Sequence, residues 1–252
     1  EQGIPLTSMW NGDSPQTFDD AGKPYLVSNY GNEGWGQTSM LNAMAHSINT
    51  VFVPLGIRVG PDNVVDAARR AGIPESVAMM PTPSVVLGAA SPHVIDVASA
   101  YATFAANGIY AKPYLVSQVL GPDLTVLQNT NPSAFGRAMS IENARILRDM
   151  MVGVVENGTA SKARISGISV GGKTGTAENS PGEPAHAWFV GFAPNGQSNV
   201  AIAVVLQNGG GGLNQLGRET VGALLNAGKL SNFPYTQGQV IAMFNTAYPG
   251  TQ

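Results

Sequence analysis

Three strand candidates in the last third of the chain, at 169–176, 187–193 and 199–206, limit its fold more than any other feature. The links between them are short and polar. Parallel strands need a crossover of about a dozen residues or more, so these stretches predict an antiparallel arrangement. Upstream the period is helical. Met40, Leu41, Met44 and Ala45, then Val51, Phe52 and Leu55, follow a helical spacing that breaks around 47–50. "GPDNVVDAARRAGIP" predicts a short amphipathic helix that starts at Pro61 and stops at Gly72. "SPHVIDVASAYATFAANG" predicts another, with Ser91 as cap, Pro92 at the first helical position and Asn107-Gly108 at the end. "SIENARILRDMMVGVVENG" is the clearest helix, capped over Ser140 to Asn143. Its buried stripe is Ile146, Leu147, Met150, Met151 and Val154, and Asn157-Gly158 ends it. Residues 1–36 read as loops with a possible hairpin, "YLVSQVLGPDLTVLQ" reads as a hairpin around Gly121-Pro122, and a helix is expected at about 215–227. Helices followed by closely linked strands predict an α+β fold with an antiparallel sheet.

Composition narrows the function classes. The 252 residues carry a net charge of −3 with 12% charged side chains, which gives no field that would favour nucleic acid or an anionic membrane. There is no cysteine, so disulfides, thiolate catalysis and cysteine-ligated zinc are out. His46, His93 and His186 are too widely spaced for an H-x-x-x-H pair, so no metal site is expected and the histidines are assigned to packing or surface roles. No apolar run reaches the roughly 18 residues that span a bilayer.

The stretch "GISVGGKTGTAEN" at 167–179 fits three catalytic patterns. As G-x-x-x-x-G-K-T it would be a phosphate-binding loop, which needs a buried strand before it and a helix after it. The polar "TASKARIS" upstream, and Gly175, Pro181 and Pro184 downstream, oppose both. As G-x-S-x-G it would place a nucleophile at Ser169 ahead of a helix, yet three of the next six residues are glycine, and no aspartate follows Asp149. Ser169 reads instead as a strand residue. The third pattern, K-T-G at Lys173-Thr174-Gly175, asks only for a strand. An extended peptide can pair with an exposed strand edge. Lys173 would attract its carboxylate, hydroxyls of Thr174 and Thr176 would bind it, and Gly175 would allow close approach. A second element, S-x-N at Ser47-Ile48-Asn49, stands where the helical pattern breaks. By position alone, the favoured reading is that Ser47 or Asn49 merely caps the helix that follows.

Taken together, "GWGQTSMLNAMAHSINTVFVPLGIRVG", "SPHVIDVASAYATFAANGIYAKPYLV" and "GGKTGTAEN…HAWFVGFAP" resemble the transpeptidase domain of high-molecular-weight penicillin-binding proteins over most of the chain. The resemblance implies a five-stranded antiparallel sheet flanked by helices, beside a mostly helical subdomain, with the active site between them. It implies a D,D-transpeptidase that cross-links peptidoglycan stem peptides ending in D-Ala-D-Ala through a serine acyl-enzyme and is inhibited by β-lactams. No cofactor is implied. Ser47 would relay protons, Asn49 would hold the catalytic lysine and the substrate amide, and Lys173 would steer the carboxylate and support Ser47. The backbone N–H of Thr176 would form half of the oxyanion hole. Trp188 and Phe189 would be core or cleft wall. Localisation on the extracytoplasmic face of the bacterial membrane, an anchor outside this chain, and contact with other cell-wall synthesis proteins are implied likewise.

The family's nucleophile motif, S-x-x-K, is not in these residues. None of the five lysines (23, 112, 162, 173, 229) has a serine three positions before it; Lys162 comes nearest, with Thr159. The expectation is that 1–252 form one transpeptidase domain whose nucleophile segment is missing from this chain. A hydrolytic β-lactamase of the E-x-x-x-N type is disfavoured, because no glutamate has asparagine four residues later. A D,D-carboxypeptidase and a non-catalytic penicillin-binding or sensor domain stay open, as does the choice between bifunctional and monofunctional subclasses.

Overall fold

The computed structural model describes residues 2–131, 134–195, 198–210 and the strand 240–246. The N-terminal part is built from β1 (Met9–Asn11), β2 (Gln16–Asp20), β3 (Lys23–Val27) and β4 (Gln37–Ser39). β2 and β3 form the expected hairpin, turning through Ala21 and Gly22 at φ 51° and 84°. Positive φ at both turn residues matches the twist of the strands it joins. β1 pairs with β4, which feeds directly into α1 (Met40–His46). There Ser39 caps the helix by accepting the Asn42 N–H.

The break at 47–50 separates α1 from α2 (Asn49–Val59), and α3 (Pro61–Ala71) follows with its proline at the start and Gly72 at its end. α2, α3 and a 3-10 turn at Pro83–Leu87 pack against one another and form the helical part of the molecule. α4 (Val94–Ala105) starts two residues later than Ser91 and Pro92 suggest. Its cap is His93, whose N–H donates to Asp96 while Asp96 N–H reaches back to it, a reciprocal pair that outcompetes the serine.

β5 (Ile109–Ala111) pairs with β8 (Ala134–Arg137), bracketing the expected hairpin of β6 (Gln118–Leu120) and β7 (Val126–Asn129). α5 (Ile141–Asn157) is capped by Ser140 and buries Ala144, Met151, Val154 and Val155. Then come β9 (Gly171–Ala177), β10 (His186–Asn195), β11 (Ser198–Leu206) and β12 (Val240–Thr246). They form one antiparallel sheet in the order β12-β11-β10-β9. The sheet therefore has four strands among the described residues, where five are expected; the helix expected at 215–227 lies outside those residues.

Strand alternation decides the packing. Val190 and Ala203 face Ala98 of α4, with Trp188 half-buried beside them, and Phe192 and Ala201 meet Ala102, Ala105 and Met151. Phe189, Ile202 and Val204 turn the other way and share a cluster with Val154 and Val155 of α5. Phe189 is 1% exposed, so it belongs to the core, as expected. β9 lies at the sheet edge, and its outer side is left unpaired among the described residues. Among those residues no helix is long and apolar enough to cross a membrane.

Candidate active site

The S-x-N element is the junction of α1 and α2. Ser47 N–H and Ile48 N–H close the helix end on Met44 O (3.3 Å) and Ala43 O (3.0 Å), which forces Ser47 into the left-handed region at φ 58°, ψ 46°. A non-glycine residue there costs about 1–2 kcal/mol, and the surrounding fold must hold it. Two upstream residues do so. Ser28 O accepts Asn49 Nδ2 at 2.9 Å, and the buried Asn29 Oδ1 accepts both the N–H (3.1 Å) and the hydroxyl (3.2 Å) of Thr50. Asn29 Nδ2 donates in turn to Gly12 O and Glu33 O, at 3.0 and 2.8 Å. α2 has no side-chain cap of its own at Ile48, so Asn29 caps it from 21 residues upstream. Asn49 Oδ1 has no hydrogen-bond partner among the described residues.

The K-T-G element lies on β9. A Cβ at Gly171 would fall 2.3 Å from the Phe192 ring, and one at Gly172 would fall 2.9 Å from the Phe189 ring. The glycines are there because two rings from β10 cover this strand, one on each face. Lys173 and Gly175 lie opposite Val190 and Trp188, on the face turned to α4. Lys173 Nζ donates to Ser47 Oγ at 2.7 Å and to Thr174 O at 2.9 Å. Among the described residues no carboxylate lies within ion-pair distance of Lys173. Burial without a counter-charge lowers its pKa to about 8.

The structure thus brings Ser47 and Lys173, 126 residues apart in sequence, into one hydrogen bond, with Thr174, Gly175 and Thr176 running beside them along the open edge. Asn49 stands at the same junction. The hydroxyl of Thr174 is 2.7 Å from that of Thr159, while that of Thr176 is exposed. Thr159 was not expected at the site; sequence spacing offers only its place beside the helix stop at Gly158. Neither rejected pattern survives, since no helix follows the glycine-rich stretch and Ser169 lies in the link just before β9. His46 stacks on Trp35 at 4.5 Å, His93 caps α4, and His186 Nδ1 accepts Asn208 N–H at 3.1 Å, all structural roles.

An unpaired ammonium fixed on a hydroxyl, on a strand whose outer edge is unpaired among the described residues, is suited to an extended peptide that ends in a carboxylate. The family model "Penicillin binding protein transpeptidase domain" matches residues 9–226. The peptidoglycan D,D-transpeptidase PbpA of Mycolicibacterium smegmatis is 36% identical over 234 residues, covering 80% of this chain and 48% of the relative. PbpA of Mycobacterium tuberculosis is also 36% identical, covering 78% and 45%. The chain spans about half the length of these curated relatives. Among solved structures, the imipenem acyl-enzyme of penicillin-binding protein A from M. tuberculosis superposes with a TM-score of 0.77 at 31% identity, covering 88% of this chain and 56% of that one. The D,D-transpeptidase domain of a peptidoglycan glycosyltransferase from Eggerthella lenta gives 0.73 at 27%, covering 88% and 61%. The chain therefore belongs to the penicillin-binding protein transpeptidase family.

Proposed function

We propose that the chain carries the S-x-N and K-T-G elements of a D,D-transpeptidase, working with a serine–lysine pair supplied from outside these 252 residues. The observation that carries this reading is the Lys173 ammonium: it lacks a carboxylate partner among the described residues and holds Ser47 Oγ at 2.7 Å beside a free strand edge. A stem peptide ending in D-Ala-D-Ala pairs with β9 in extended form, its terminal carboxylate at Lys173 and the Thr176 hydroxyl. Thr174 O accepts from Lys173 and so faces the open edge; the two-residue repeat of a strand turns Thr176 N–H the same way. That N–H stabilises the oxyanion, a contribution of about 3–4 kcal/mol.

The nucleophilic serine oxygen adds to the penultimate D-Ala carbonyl and its proton passes to the paired lysine. The C–N bond then breaks, and the departing D-Ala amine takes a proton from Ser47, which is resupplied from that lysine. Lys173 fills a lone pair of Ser47 Oγ, which leaves the Ser47 O–H free to donate. An amine from a neighbouring stem peptide reverses the sequence, forming the cross-link and freeing the serine. The partner-free Oδ1 of Asn49 accepts from the serine-paired lysine. A β-lactam enters as a substrate mimic and stays as an ester on the same serine. The enzyme acts outside the cytoplasmic membrane, held there by a segment outside these residues, alongside other cell-wall synthesis proteins.

The test is incubation of the full-length protein with a stem pentapeptide and an amine acceptor. Cross-linked product with equimolar D-Ala supports the reading. Hydrolysed tetrapeptide alone would make it a carboxypeptidase, and no product together with no penicillin adduct would make it a non-catalytic penicillin-binding domain.

A further inference from the structure

We infer that Thr159 is a positioning residue of this site, clamping the K-T-G strand to the S-x-N turn with one hydrogen bond to each. The inference rests on the acyl-transfer reading above. Three segments distant in sequence meet here. Thr159 N–H donates to Ala45 O at 3.0 Å, in the last turn of α1 two residues before Ser47. Its Oγ1 lies 2.7 Å from Thr174 Oγ1. Thr174 is thereby held at its hydroxyl by Thr159 and at its carbonyl by Lys173 at 2.9 Å.

The bond between Lys173 and Ser47 cannot set this spacing alone, because a lysine side chain has four flexible torsions. A threonine has one, and its branched Cβ restricts that one further. Thr159 is also anchored from behind. It follows α5 directly, whose Val154 and Val155 are fully buried in the sheet cluster, and Gly158 presses on Ala45 with no room for a side chain. The distance between the carboxylate-binding strand and the proton-relaying serine is therefore set by a rigid helix end. Removing the Thr159 hydroxyl at constant shape leaves Thr174 without its partner and frees β9 to drift from Ser47, letting water reach Lys173.

The test uses the full-length protein with Thr159→Val and Thr159→Ser, and reads two quantities. One is acylation by a fluorescent penicillin, resolved into rate constant and final labelled fraction; the other is the Lys173 titration followed by NMR. Thr159→Val is expected to keep the labelled fraction and slow labelling by about fivefold or more. It also moves the Lys173 midpoint upward from about 8, and Thr159→Ser restores both quantities. Unchanged rate and titration in Thr159→Val would overturn the inference. So would a loss confined to the labelled fraction with an unmoved titration, which marks a folding defect. Should Thr159→Val not fold, Thr174→Val removes the other hydroxyl of the pair and must give the same two shifts. If the wild type takes no label at all, the acyl-transfer reading falls, while the Lys173 titration across the variants still decides the clamp.

Discussion

Gly158→Ala is expected to destabilise the protein even though the backbone there suits alanine. Gly158 has φ −123° and ψ −154°, an extended conformation open to any residue. On chain entropy alone the substitution would stabilise by about 0.4–1 kcal/mol. The contact reverses the sign. A Cβ would sit 2.0 Å from Ala45 O and 2.7 Å from Ala45 C, where real Cβ atoms stay beyond 3.0 Å. Both of these atoms are backbone of α1, and Val154 O of α5 blocks the other side at 2.9 Å, so the segments must part by about 1 Å, which takes the 3.0 Å bond from Thr159 N–H to Ala45 O out of range. Overpacking costs about 1–3 kcal/mol and the lost hydrogen bond about 1. The net is about 1–3.5 kcal/mol, centred near 2, and for a domain of this size each kcal/mol moves Tm by roughly 2–4 °C. Calorimetry should show a melting point lower by about 5–10 °C. A transition at or above that of the wild type would refute the contact argument.

Three further outcomes follow from the same geometry. Lys173→Met is expected to abolish acylation yet raise Tm at pH 7. The folded-state pKa of about 8 lies below the ordinary 10.5, so the charged form is disfavoured in the fold; that penalty is complete below pH 8 and fades as pH rises toward 10.5. The gain over wild type should shrink across that window in a pH series of melts, and a lower Tm at pH 7 would contradict the assignment. Asn29→Ala strips partners from Thr50, Gly12 and Glu33 at a buried position and should cost about 2 kcal/mol or more, measured by denaturant titration. Gly171→Ala drives a methyl into the Phe192 ring and should lower the unfolding free energy by about 1–3 kcal/mol, seen as a lower denaturant midpoint at unchanged m.

The described helices and the three expected strands of the main sheet were legible because each buries one face, and burial writes its period into the sequence. α5 matches its expected span at the cap and at the stop, and the three strands match to within two residues at each end. β12 was not foreseen, although "VIAMF" is apolar, because one isolated run names no partner. β5 and β8 were missed for a related reason: their pairing closes around a hairpin, and each is only three or four residues long. Within the site, Ser47, Asn49 and Lys173 were visible as motif letters. The roles of Asn29 and Thr159 were not, because they depend on where a loop and a helix end arrive in space. Gly158 shows the limit well, since its place after α5 reads as a helix stop while its contact with Ala45 is what requires glycine.

The most direct test is peptide mapping by mass spectrometry of the full-length protein after incubation with penicillin. The account predicts one penicilloyl adduct, on the serine of an S-x-x-K segment outside these 252 residues, its strong reduction by Ser47→Ala and its loss in Lys173→Met. An adduct on Ser47 itself, or none on a folded full-length protein, would contradict it.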